Sequence, residues 1–156
     1  MGRVDDRLAE LGLTLPEVSA PVAAYVPAVT TGTYVYTSGQ LPMVRGSLAE
    51  TGKVGEGDGL VAPDRAKELA ATCALNALAA VKAQVGDLDR VRRVVKVVGF
   101  VASDPAFTGQ PAVVNGASEL LRDVLGDAGV HARSAVGVAV LPLDAPVEVE
   151  LVVEVV

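Results

Sequence analysis

From Val147 onward the chain alternates. Val147, Val149, Leu151, Val153 and Val155 fall on one side of an extended backbone, and Glu148, Glu150, Val152, Glu154 and Val156 fall on the other. A period of two with one wholly aliphatic side predicts a strand that covers a core. Residues 134 to 141 read as a second strand, with Val136, Val138 and Val140 on one side and Ala135, Gly137 and Ala139 on the other. Leu141-Pro142 and Pro146 bound a turn, so the two strands are predicted to form a hairpin. Its valine faces suit a helix layer, which would leave the Ala-Gly-Ala row on the same face as Glu148.

Upstream the period changes to that of a helix. Pro63 stands at a first-turn position, and Ala71, Ala74, Leu75, Leu78, Val81 and Val85 recur at three- and four-residue spacing before Gly86 stops the run. A second helix is predicted from an N-cap at Thr108, through Val114, Ala117, Leu121 and Val124, to Gly126. Between them VRRVVKVVGFVAS (91–103) is β-branched and reads as a long strand. A short helix over 4–12 opens the chain, and Pro16, Pro21 and Pro27 then keep it extended. Strands follow at 23–29 and 33–38, with Thr31-Gly32 between them. Residues 43–62 are glycine-rich and without apolar period, a long loop of the kind that tends to sit near function. The order β-β-α-β-α-β-β predicts an α+β domain, a single mixed sheet with two helices packed on one face. No repeat or linker divides the chain, so residues 1–156 form one domain with an N-terminal extension (1–20) and a loop insertion (43–62).

Composition narrows the function classes. The 156 residues are 51% hydrophobic but only 3% aromatic, so valine, alanine and leucine do the packing. Mean hydropathy is +0.43. Charges or glycines interrupt every apolar run before the ~18 residues that a membrane span needs, and burial between subunits accounts for the surplus instead. The net charge of −6 disfavours nucleic acid as a partner. The one cysteine, Cys73, lies in an alanine-rich helical stretch and reads as a small buried hydrophobe; no spacing suggests a metal site or a cofactor. The N-terminus has acidic residues where a signal peptide is apolar, which predicts a cytoplasmic protein.

Three stretches carry a resemblance: YTSGQLP (36–42), VVNGASELL (113–121) and HARSAVGVAVLPLDAPVEVE (131–150). Together they resemble the Rid family of enamine/imine deaminases, also called YjgF/YER057c/UK114, over nearly the whole chain. The leading helix and the 43–62 loop are similar to a longer branch of that family. The resemblance implies a chorismate-mutase-like homotrimer with ligand clefts between subunits, and hydrolysis of 2-imino acids such as 2-iminobutanoate to 2-keto acids and ammonia. It implies Arg133 as the substrate-carboxylate ligand and Glu148 as the group that works on water. Tyr25, Ser38, Gly39, Asn115 and Ala135 would line the cleft, Ala135 standing where short members often have cysteine. Chemistry agrees with the first two roles: guanidinium is a permanently charged planar fork for carboxylates, and a carboxylate beside apolar walls can have its pKa raised toward proton transfer. His131, the only histidine, reads as a capping or surface group. Two other functions stay open: a non-catalytic trimer that binds small carboxylates, which needs Arg133 but not Glu148, and the endoribonuclease activity attached to some members.

Overall fold

A computed structural model describes residues 2–18 and 24–156. Pro21 and the predicted start of the first strand at residue 23 lie outside the described residues. Three α-helices, α1 (Arg3–Glu10), α2 (Pro63–Val85) and α3 (Gln110–Leu125), accompany a five-stranded mixed sheet. In chain order its strands are β1 (Ala28–Thr31), β2 (Tyr34–Thr37), β5 (Val91–Ala102), β6 (Ala132–Val138) and β7 (Val147–Val155). The short β3 (Met43–Val44) and β4 (Ser47–Leu48) form a separate hairpin. The large sheet runs β1-β2-β7-β5-β6, antiparallel throughout except for β5 and β6, which α3 connects. Helices α2 and α3 cover one face, as the α+β order predicts.

The alternation in β7 is realised residue by residue. All five odd positions are buried and Glu148, Glu150, Val152 and Glu154 are only partly so. The predicted stripe of α3, Val114, Ala117, Leu121 and Val124, is buried throughout. Its N-cap is Gly109 rather than the expected Thr108, and the helix starts with Gln110, whose amide turns back to the carbonyl of Phe107 (2.8 Å). Helix α2 buries more than one stripe. Ala74, Leu78 and Val81 are buried as predicted, but so are Leu69, Ala70, Cys73 and Ala77, while Ala71, Leu75 and Val85 are half-buried. The cause is double contact, since α2 lies against both β7 and α3. Gly116 permits the second contact: a Cβ there would run into the Lys67 carbonyl oxygen of α2.

Helix α1 is fastened from outside itself. The Asp89 carboxylate accepts the N–H groups of Arg3 and Val4, both at 2.8 Å, and Val4 and Leu8 enter the core. Those N–H groups hold the Asp89 carboxyl below its ordinary value. A charged acceptor on the first free amides of a helix also meets the positive end of its dipole.

The predicted β6–β7 hairpin does not form. Gly99 of β5 pairs with Ala135 on one side and with Val149 on the other, so β5 lies between the two strands. The connection carries the chain across the end of β5, where Ala102 donates to the Pro146 carbonyl and Ser103 to that of Val138. The side-chain row of β6 is also reversed from the prediction. Arg133, Ala135 and Gly137 pair in register with Val97, Gly99 and Val101, which places them on the helix-covered face; Ser134, Val136 and Val138 lie on the open one. Sterics explain the choice. α3 crosses β5 and β6 so closely that a Cβ on Gly99 would meet Val114, and one on Gly137 would meet Gln110 and Ser103. Small residues belong under such a helix, and valines do not fit.

The 43–62 segment is less irregular than its glycines suggest. After the β3–β4 hairpin, buried Val54 bridges both Val61 and Ser103, with Val54 N–H to the Ala102 carbonyl at 2.7 Å. The segment is thereby fixed to the end of β5.

Candidate active site in two halves

Arg133 sits on edge strand β6 and reaches under α3. Its Nη1 donates to Asn115 Oδ1 at 2.8 Å and to Ser118 Oγ at 3.2 Å, and its Nη2 donates to the Pro111 carbonyl at 3.2 Å. Asn115 and Ser118 lie three residues apart on one face of α3, and Pro111 supplies one of the first-turn carbonyls. Nε–H and one hydrogen of Nη2 have no protein partner among the described residues, and these two nitrogens share one edge of the guanidinium. Donors left unused on a planar guanidinium are what a carboxylate requires. Ala135, next on the same face, is half-buried against the core. The sequence pointed to Arg133 and Asn115 separately, and the structure joins them. It did not point to Ser118 or to the Pro111 carbonyl, because eighteen residues separate Arg133 from Asn115 and no local pattern links them.

Glu148 belongs to a second cluster. By register it shares the open face with Phe100 and Val136, and its carboxylate lies against Gly39, in the space where any Cβ at that position would stand. Gln40 holds this stretch to β7 through paired backbone bonds with Val149, at 2.8 and 3.0 Å. Ser38 is tied to the preceding segment: its Oγ donates to the Val26 carbonyl (2.6 Å) and its N–H to that of Pro27 (2.8 Å). Tyr25 precedes Val26 and is 62% exposed, a side chain with little of its own fold to rest on. Burial raises the Glu148 carboxyl above its ordinary value, and the charge of Glu150 adds to the effect. Cys73 lies beneath, fully buried, with Sγ 3.8 Å from the Val147 carbonyl; burial pushes its thiol well up, so it is no nucleophile. Among the described residues no three His, Cys, Asp or Glu side chains are grouped to hold a metal ion, and no helix is long and apolar enough to cross a membrane.

Comparison with known proteins places the chain. The family described as "YjgF/chorismate mutase-like, putative endoribonuclease" matches residues 5–155. The chain belongs to that family. Protein TCP17 of Trypanosoma cruzi is 45% identical, the match covering 98% of this chain and 94% of that one. The crystal structure of Atu1372 from Agrobacterium tumefaciens, a protein of unknown function, is 49% identical with a TM-score of 0.88, over 97% of this chain and 91% of that one. A Shewanella oneidensis structure named as a putative endoribonuclease is 30% identical with a TM-score of 0.92, over 99% and 100%.

In this YjgF-like chain the two halves lie on opposite faces of the sheet. Arg133 faces the helices opposite Val97, whereas Glu148 faces away from them opposite Phe100, three residues along β5. Five residues named from the sequence thus divide. Asn115 and Ala135 accompany Arg133; Gly39 lies against Glu148 with Ser38 next to it in the chain, and Tyr25 stands exposed one residue before the Val26 carbonyl that Ser38 binds. A second property of the YjgF-like fold bears on how they could meet. On the open face Val29, Tyr34, Tyr36 and Val136 are each between 41% and 51% exposed, flanking the glutamates of β7. Grouped exposed aromatic and aliphatic side chains on a sheet face suit a surface that another copy covers.

Proposed function

We propose that the chain is an enamine/imine deaminase, hydrolysing 2-imino acids to 2-keto acids and ammonia in clefts between the subunits of a homotrimer. The observation that carries this reading is the pairing of a carboxylate receptor with a raised-pKa carboxyl, divided over two faces of one chain. A cleft formed by two copies would place the Arg133 half of one against the Glu148 half of the other.

In that cleft the free edge of Arg133 takes the substrate carboxylate, while Asn115, Ser118 and the Pro111 carbonyl hold the guanidinium in place. Glu148 accepts a proton from water as the oxygen attacks the C=N carbon. The carbinolamine then collapses: Glu148 returns its proton to nitrogen, the C–N bond breaks, the hydroxyl proton passes to the freed Glu148 carboxylate, and ammonia leaves with a carbonyl behind it. No redox partner is needed, and the products balance as imine plus water. A carboxyl whose pKa is raised suits both halves of that proton exchange better than an exposed glutamate. Small Ala135 and Gly39 leave room for substrate and for the Glu148 side chain.

The test is a coupled assay in which an amino-acid oxidase generates 2-imino acids and the loss of imine is followed. Wild type should accelerate it. Glu148→Gln should bind a 2-keto acid nearly as well while turnover falls about 100-fold or more, the contribution of a positioned general base. If no imine in a broad panel is consumed faster than by buffer, the deaminase reading fails. Retained binding of 2-keto acids would then favour the non-catalytic carboxylate trimer. Cleavage of RNA that survives Glu148→Gln would favour the endoribonuclease.

A further inference from the structure

His131 reaches the arginine half-site through one hydroxyl. Its Nδ1 stands 2.6 Å from the Gly129 carbonyl oxygen and its Nε2 stands 2.8 Å from Ser118 Oγ. A carbonyl only accepts, so Nδ1 carries a hydrogen, and in the neutral imidazole Nε2 then presents a lone pair. The Ser118 hydroxyl has one hydrogen, which the lone pair of Nε2 attracts. Its oxygen is then turned as an acceptor toward Arg133 Nη1, 3.2 Å away. The chain of bonds runs from the Gly129 carbonyl through His131 and Ser118 to the guanidinium, with a donor and an acceptor at every link.

We propose that His131, acting through Ser118, is a positioning residue for Arg133. The relay sets the polarity of the hydroxyl, the hydroxyl occupies the second hydrogen of Nη1, and the guanidinium is left with its Nε–Nη2 edge turned to the ligand. Without the imidazole acceptor the hydroxyl is free to rotate, and Arg133 loses one of the three contacts that fix its plane. Linked polar groups of this kind rigidify a site only when each member is satisfied. The local fold supports the geometry: a Cβ on Gly129 would strike the Leu121 carbonyl, so the chain returns tightly under α3 and delivers His131 beside Ser118.

This role presupposes Arg133 as the carboxylate anchor, so the experiment carries a control for that. Affinity for 2-oxobutanoate is measured by calorimetry for wild type, Arg133→Ala, Ser118→Ala, Ser118→Thr, His131→Phe and His131→Gln. Arg133→Ala should abolish binding. Ser118→Ala and His131→Phe should weaken it about three- to tenfold, the worth of one net hydrogen bond. In imine turnover the same two variants should raise KM with kcat kept. Threonine at 118 and glutamine at 131, which retain the hydroxyl and an acceptor, should recover most of the loss. Long-range proton–nitrogen spectra should also show the His131 hydrogen on Nδ1. Wild-type affinity in Ser118→Ala and His131→Phe, with Arg133→Ala inactive in binding, would overturn the relay alone. Failure of both conservative variants to recover, or a hydrogen on Nε2, would do the same. Undiminished binding by Arg133→Ala would overturn the anchor and the relay together.

Discussion

Gly39 and Glu148 show how much of the site is decided by single atoms. Gly39 has no need of a left-handed backbone; what it supplies is the absence of a Cβ where the Glu148 carboxylate lies. Gly39→Ala should therefore displace a flexible side-chain end at little cost in melting temperature while lowering imine turnover, and a variant with full activity would remove Glu148 from the chemistry at that position. The raised pKa of Glu148 has two consequences of definite sign. As a base it must be ionised, so turnover should fall as pH drops through its raised value, and that limb should vanish in Glu148→Gln. For stability the sign reverses: the folded chain holds the proton more tightly than the unfolded one, whose carboxyl titrates near 4.5. Wild type gains from this fully below pH 4.5 and loses it as pH rises through the folded value. Thermal melts should accordingly show Glu148→Gln as stable as wild type or more so at neutral pH, and an advantage of wild type there would contradict the burial argument. Arg133 and Glu148 could be named as candidates from the sequence because they stand in a recognisable local motif. The contacts of Ser118 and His131 could not, since they arise only when α3 is laid over β6.

At the scale of elements, alternation proved a good guide to one strand and a poor one to its neighbour. β7 has a strand on each side and a fully covered face, so its aliphatic positions could take only one orientation. β6 is an edge strand with no residue fully buried, and its valines were free to face outward. The proline-bounded turn suggested a hairpin, yet an eight-residue connection is long enough to step over β5, and the parallel β5–β6 pairing through α3 requires that step. The helices were predicted as elements but not as neighbours. Their mutual contact rests on Gly116, where two effects of opposite sign compete. Alanine in a helix interior gains about 1 kcal/mol over glycine, but a Cβ pressed on the Lys67 carbonyl forces the helices apart, at a cost of about 1–3 kcal/mol. The obstacle is backbone and cannot rotate away, so overpacking should win. Gly116→Ala should lower the urea midpoint, and a stabilised variant would mean that the two helices separate easily.

At the scale of the whole molecule the candidate residues lie on two faces of one sheet. One chain presents Arg133 on the covered side of its sheet and Glu148 on the open side, beside aromatic and aliphatic side chains left exposed among the described residues. The high valine content and the hydropathy surplus anticipated that exposure, but composition could not say that Arg133 and Glu148 would lie on opposite faces. If the cleft is built from two copies, variants defective in different halves should complement each other. Arg133→Ala and Glu148→Gln are each expected to be inactive in imine hydrolysis. When the two are unfolded together, refolded as a mixture and assayed, random assembly should give clefts with both residues intact in about a quarter of cases. Recovery of activity toward that fraction is the result predicted here. A mixture that stays as inactive as its parents, with exchange of subunits verified, would show that both residues must come from the same chain and would contradict the account.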